Sequence, residues 1–191
     1  MKSKPLSASK ALALVAPLAT LTITPAHAAF DAFLKIDGID GEATDERHRD
    51  QIEVYSWSWG LSNREATGGG GGRVSVSEIT ITKEVDKSSP KLFLSTAIGE
   101  PAGNVVLRMA ESRESGENTV YYQLELKDVY VTSIDSSVRT REEELTENIT
   151  LNFSEITFSF ANRDESGAYI DLDKDEKPVQ AMIANPDRER Q

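Results

Sequence analysis

The side chains able to do chemistry in this 191-residue chain fall into a few short patterns, and each lacks a partner its reaction would need. His48-Arg49-Asp50 matches the opening of a kinase catalytic loop, but Tyr55 stands where that loop needs an asparagine on the second metal. His48 is the single histidine beyond residue 28, so a histidine-based acid or metal site would have no second imidazole. A structural histidine beside a strand start is the expectation. Ser88-x-x-Lys91 matches the first element of the penicillin-binding serine motif without its companions, and it falls at a helix cap. Gly68, Gly69, Gly70, Gly71 and Gly72 form a glycine tract, but no Lys-Ser or Lys-Thr follows to reach phosphate and magnesium. Arg73 leads from that tract into a strand rather than a helix. Asp171-x-Asp173-x-Asp175 has the opening spacing of a calcium loop. Glu176 replaces its glycine, and Met182 replaces its bidentate glutamate. Asn148-Ile-Thr150 and Asn152-Phe-Ser154 fit glycosylation sequons, yet both lie in an inferred strand. No catalytic residue, cofactor site or metal site is expected.

The elements carrying these patterns read as strands. Both tryptophans, Trp57 and Trp59, lie two apart in Ile52-Glu-Val-Tyr-Ser-Trp-Ser-Trp-Gly60, so both indoles share one face of a strand. A rigid aromatic strand feeding the glycine tract suits a scaffold that presents a loop to a partner. Phe30, Ala32, Leu34 and Ile36 alternate as a half-buried strand should. Elsewhere the apolar parity switches: Val74 and Val76 give way to Ile79 and Ile81, Leu124 and Leu126 to Val129 and Val131, and Leu151 and Phe153 to Ile156 and Phe158. Each switch predicts a bulge or bend where a strand changes sheets. One short helix is signalled by Ser89 as cap, Pro90 at its first position and Gly99 at its close. Phe93 with Ala97 and Leu94 with Ile98 are spaced for a buried stripe. The expected fold is all-β with one short helix, a compact β-barrel of two packed sheets, with Trp57, Trp59, Phe93 and Leu94 as core anchors.

The first 28 residues read as a secretory signal. Lys2, Lys4 and Lys10 precede an apolar run, and Pro25-Ala-His-Ala28 ends in the small-x-small pattern, which places cleavage between Ala28 and Ala29. Removing those lysines leaves 18 of the 21 basic residues against 32 acids, a mature net charge of about −14. Such a chain should avoid nucleic acid and anionic lipid. The absence of cysteine excludes disulfides and thiolate metal sites.

Five blocks in order resemble the haemolysin-coregulated protein family (Hcp), the tube protein of type VI secretion. They are Phe30-Asp-Ala-Phe-Leu-Lys-Ile-Asp-Gly-Ile-Asp-Gly-Glu42, His48, Ile52 to Gly60, Asp86-Lys-Ser-Ser-Pro90, and Leu145-Thr-Glu-Asn-Ile-Thr-Leu-Asn-Phe153. The resemblance covers about residues 29–160. It implies a structural protein that closes into homo-hexameric rings, stacks them into a tube, carries secreted effectors, and meets sheath or needle-tip proteins. Head-to-tail closure needs two different surfaces on each protomer. The candidates are the loop of Asn63, Arg64 and Gly68 to Arg73, and the charged loop of Arg139, Arg141 and Glu142. The signal places the chain in the periplasm or outside the cell, whereas subunits of such tubes assemble in the cytoplasm before type VI export. An exported Hcp-like binding module that joins no tube is therefore the alternative. Residues 161–191 form a polar, acidic tail with Tyr169 and no tryptophan, and whether it completes the sheet is left open.

Overall fold

The computed structural model describes residues 30–64, 73–112, 118–139 and 144–186. The signal segment, the cleavage pair Ala28 and Ala29, the tract Gly68 to Gly72, and Arg141 and Glu142 lie outside the described residues. In chain order the elements are β1 (Phe30–Ile36), β2 (Ile52–Glu53), β3 (Ser56–Ser58), β4 (Leu61–Arg64), β5 (Arg73–Val76), β6 (Ile79–Glu84), α1 (Ser89–Ile98), β7 (Gly103–Ser112), β8 (Asn118–Arg139), β9 (Glu144–Asn152), β10 (Glu155–Phe160) and β11 (Val179–Ala184).

Each parity switch falls where the backbone passes from one set of paired strands to another. β8 pairs with β10 through Lys127 and with β7 through Val129, then with β9 from Tyr130 onward. At this bend Asp128 has φ of 49°, a left-handed conformation that a short polar side chain tolerates. Ser154 secures the corner: its Oγ donates to Asp128 Oδ2 at 2.7 Å, and its amide donates to the Lys127 carbonyl at 3.0 Å. The switch at residues 153–156 divides β9, which pairs with β6 and β8, from β10, which pairs with β8 and β11. The switch near Ser77 divides β5, paired with β4, from β6, paired with β3 and β9.

The strand path runs β2-β1-β7-β8-β9-β6-β3, with β10 and β11 extending from the first half of β8. Its two ends, β2 and β3, are neighbours in sequence, and no ladder pairs one with the other. The two packed sheets are as expected, but they do not close into a barrel: they share the bent β8 at one margin and the 52–58 segment at the other. Leu34, Ile36, Ile52, Ile79, Ile81, Leu107, Leu124, Leu126, Ile149, Leu151 and Phe153 fill the space between them. A smaller cluster of Phe33, Ala43, Ala110 and Val120 lies on the opposite face of β1. There the 41–52 backbone folds back closely: Gly41 donates to the Asp50 carbonyl at 2.8 Å, and a Cβ on Gly41 would lie 2.3 Å from the Gln51 oxygen. Only glycine fits that approach.

Helix α1 corrects a second expectation. Its cap is Ser88, one residue early and without a side-chain cap bond; Gly99 closes it at φ 68° as the sequence predicts. Leu92 alone of its large apolar residues is buried, whereas Phe93, Leu94 and Ile98 are 63%, 55% and 60% exposed. Phe93 and Leu94 are therefore not core anchors in the protomer. The run Leu-Phe-Leu is apolar on adjacent faces, so helical spacing could not say which face turns inward. Trp57 and Trp59 do pack on the core, half-buried against β8.

Candidate assembly surface

The reactive-looking side chains are bound into the fold. His48 is buried, stacks on Phe33 at 4.2 Å between ring centroids, and has its Nδ1 3.3 Å from Gln51 Oε1. Burial pushes its pKa below the ordinary value, outweighing the opposing pull of Asp45 and of the Gln51 hydrogen bond. Lys91 Nζ reaches the Gly38 carbonyl at 2.8 Å rather than Ser88, whose Oγ donates to Asp86. A different lysine comes close to a serine: fully buried Lys83 has its Nζ 3.2 Å from Ser89 Oγ. That Nζ also donates to Glu147 Oε1 at 2.7 Å, Asp86 Oδ1 at 2.8 Å and the Glu84 carbonyl at 2.7 Å. An amine whose protons are directed at carboxylates offers no lone pair to a serine hydroxyl. The cluster instead joins the start of α1 to β6 and β9.

The three aspartates with calcium-loop spacing are also committed to protein donors. Asp171 pairs with Arg47, and Asp173 Oδ2 accepts from the same guanidinium at 2.9 Å. Asp175 accepts from the Asn162 amide at 3.0 Å and the Lys177 amide at 3.0 Å. Burial alone would raise the Asp171 pKa, but the Arg47 hydrogen bond, the Asp173 amide and the guanidinium charge bring it below the usual carboxylate value. These contacts strap the chain after β10 onto the 41–52 segment. Tyr169 stacks on Tyr121 at 4.8 Å, with the Arg163 guanidinium 3.8 Å above its ring.

What the protomer leaves open is strand surface. β4 and β5 form a separate two-stranded ribbon in the register Leu61↔Val76, Asn63↔Val74 and Arg64↔Arg73. At its root the Gly60 amide donates to Ser77 Oγ at 2.6 Å and the Ser77 amide to the Gly60 carbonyl at 2.9 Å. The tryptophans tie that root to the body: Trp57 packs on Tyr122 at 5.1 Å, and Trp59 Nε1 donates to the same phenol at 3.4 Å. Leu61 and Asn63 are exposed. An isolated two-stranded ribbon is marginal in water, so it gains from a surface to dock on. The second open surface is β11. It pairs with β10 alone among the described residues, with Val179 and Met182 61% and 64% exposed. The third is the outer face of α1.

Of the sequence candidates, Asn63, Arg64 and Arg73 lie on the ribbon, and Arg139 ends β8 in register with Glu144 of β9. Two features escaped the sequence reading. Lys83 shares the parity of Ile79 and Ile81, and Glu147 that of Ile149 and Leu151, so an inward-facing opposite pair was available to see. β11 carries only weak alternation after a long charged stretch, and its charge-free run from Pro178 to Asn185 was the one usable signal.

Two packed sheets sharing a bent strand, with a separate two-stranded ribbon and, among the described residues, a last strand paired on one side, define a β-protein whose open surfaces are backbone edges and apolar faces. The family described as type VI secretion system effector, Hcp, matches residues 33–160, and this chain belongs to it. The protein hcp1 of Pseudomonas aeruginosa is 36% identical over 158 residues, spanning 79% of this chain and 92% of that protein. Among solved structures, Hcp1 from Salmonella typhimurium superposes with a TM-score of 0.62 at 29% identity, over 82% of this chain and 95% of that one. A type VI secretion system effector from Yersinia pestis gives 0.62 at 26% identity, over 81% and 99%.

Proposed function

We propose that this chain is a structural subunit of a type VI secretion tube, closing head-to-tail into homo-hexameric rings that stack. The observation that supports this reading, beside family membership, is that among the described residues one protomer bears two non-equivalent strand pairs with an open edge, the β4–β5 ribbon and β11. A two-fold dimer uses one self-complementary patch, whereas head-to-tail closure uses two unlike ones. An exposed strand edge is otherwise an aggregation liability. The Hcp relatives favour the tube over an exported binding module. Negative-stain electron microscopy of purified protein should show rings with a central channel and, at high concentration, stacks; particles of protomer size alone would contradict the reading. Small effectors in the channel and sheath or needle-tip proteins are the partners that a tube subunit would meet.

The N-terminal segment is read as a signal cleaved after Ala28, so that the exported chain starts at Ala29, just before β1. Mass spectrometry of cell-derived protein tests this directly. An intact Met1 terminus in the cytoplasmic fraction would remove the general export route and leave type VI export by itself.

A further inference from the structure

We propose that His48 is an acid-sensitive latch: a proton taken up at its Nε2 releases the 41–51 segment from the face of β1 on which it packs, while the core between the sheets stays folded. The latch belongs to the protomer and works whether or not rings form.

The site is built for a neutral ring. His48 is 1% exposed and stacks on Phe33, and its Nε2 has no hydrogen-bond partner among the described residues. Gln51 Oε1 at Nδ1 assigns the neutral ring's single proton to that nitrogen, which leaves a bare lone pair on Nε2. Charging the ring would bury a second N–H without an acceptor, at the full cost of its lost hydration. The Phe33 face attracts a cation weakly but accepts no hydrogen bond.

The surrounding charges oppose the proton too. Arg47 precedes the ring in the chain, and Arg108 of β7 stands in register with Phe33; both disfavour the charged form. Asp45 favours it, but its oxygens are taken. Oδ1 accepts from the Arg47 and His48 amides at 2.9 and 3.0 Å, and Oδ2 accepts from Asn118 of β8. Asp171 and Asp173, from the chain after β10, are turned to Arg47. Burial depresses the pKa of the closed ring, and opening restores it. The closed form therefore holds fully above about pH 6.5 and weakens as pH falls through the lower closed value.

What opens is a small unit. Ile39 and Ile52, both in the main core, anchor its two ends. Between them the segment closes on itself, with the Gly41, Ala43 and Asp50 amides donating to the Asp50, Gln51 and Ala43 carbonyls. Its Ala43 packs with Phe33, Ala110 and Val120, a cluster separate from the main core. The β1–β7 ladder uses none of the segment's amides. Opening breaks the Arg47 bonds to Asp171 and Asp173 and bares an apolar face that neutral pH keeps covered.

Hydrogen exchange of the full chain, read by mass spectrometry and corrected for the intrinsic pH dependence, tests the latch. Between about pH 7.5 and 5, peptides covering 41–51 should lose protection about tenfold or more, while those of β8 and β9 keep theirs. His48→Gln should abolish that pH dependence. Arg108→Gln removes a repelling cation and should lower the pH at which the segment opens. Loss of protection in segment and core together, no loss at all, or the same loss in a folded His48→Gln chain would overturn the proposal. Should His48→Gln fail to fold, an opening pH that Arg108→Gln leaves unmoved overturns it alone.

Discussion

At the scale of single residues, the deepest polar commitment is Lys83, fully buried and bonded to Glu147 and Asp86. Removing one member of such a buried set strands the others. Lys83→Met should therefore cost about 3–5 kcal/mol in chemical unfolding, and Lys83→Met with Glu147→Leu distinctly less. A double-variant loss equal to the sum of the two single losses would mean that the pair is not coupled. His48 makes a separate prediction about pH. Burial holds its folded pKa below the ordinary 6.5, so the unfolded chain takes up the proton first. Stability should be fully present above about pH 6.5 and decline as pH falls through the lower folded value. Asp171, also depressed when folded, adds a second decline below its ordinary 3.8 as the Arg47 strap is neutralised. Melting temperatures measured from pH 7.5 to 5 should slope for the wild type and flatten for His48→Gln. An unchanged slope would assign the acid sensitivity elsewhere.

At the scale of elements, the test is which face of α1 looks inward. Leu92→Ala should cost about 2–5 kcal/mol, as a fully buried leucine does. Phe93→Ser should change protomer stability by less than about 0.5 kcal/mol, because its ring is already in water. A large loss at Phe93 in a monomeric sample would restore it to the core. Strand organisation was the most legible part of this sequence. Alternation marks which face is buried, and a bend between sheets must shift that parity, so the switches near Ser77, Asp128 and Ser154 could be read directly. The helix face was not legible because Leu92, Phe93 and Leu94 are alike in hydropathy, and what turns the helix is the polar Lys83 cluster at its start. β11 was missed for a related reason: exposed at every position but the half-buried Ile183, it lacks the alternation that burial on one face writes into a strand. The sequence expects a loop from Asn63 to Arg73, but Asn63, Arg64 and Arg73 lie in the paired strands of the ribbon. Its register and its separation from the main sheet depend on the Gly60–Ser77 clamp, which no local pattern announces.

At the scale of the whole molecule, assembly has to overcome charge. With the N-terminal segment removed as proposed, six chains of about −14 would bring together about −84 charges, a repulsion that salt screens beyond roughly 8 Å at physiological ionic strength. Association through backbone edges and apolar side chains is short-ranged and survives that screening. The oligomer should accordingly be firmer near 150 mM salt than in very dilute buffer, the opposite of an assembly held by surface ion pairs. The most direct measurement is the mass of the purified protein by sedimentation or light scattering across salt and concentration. The account predicts a six-chain species near physiological salt that loosens on dilution of the buffer. A protein that stays a single chain at high concentration in every salt condition would contradict it.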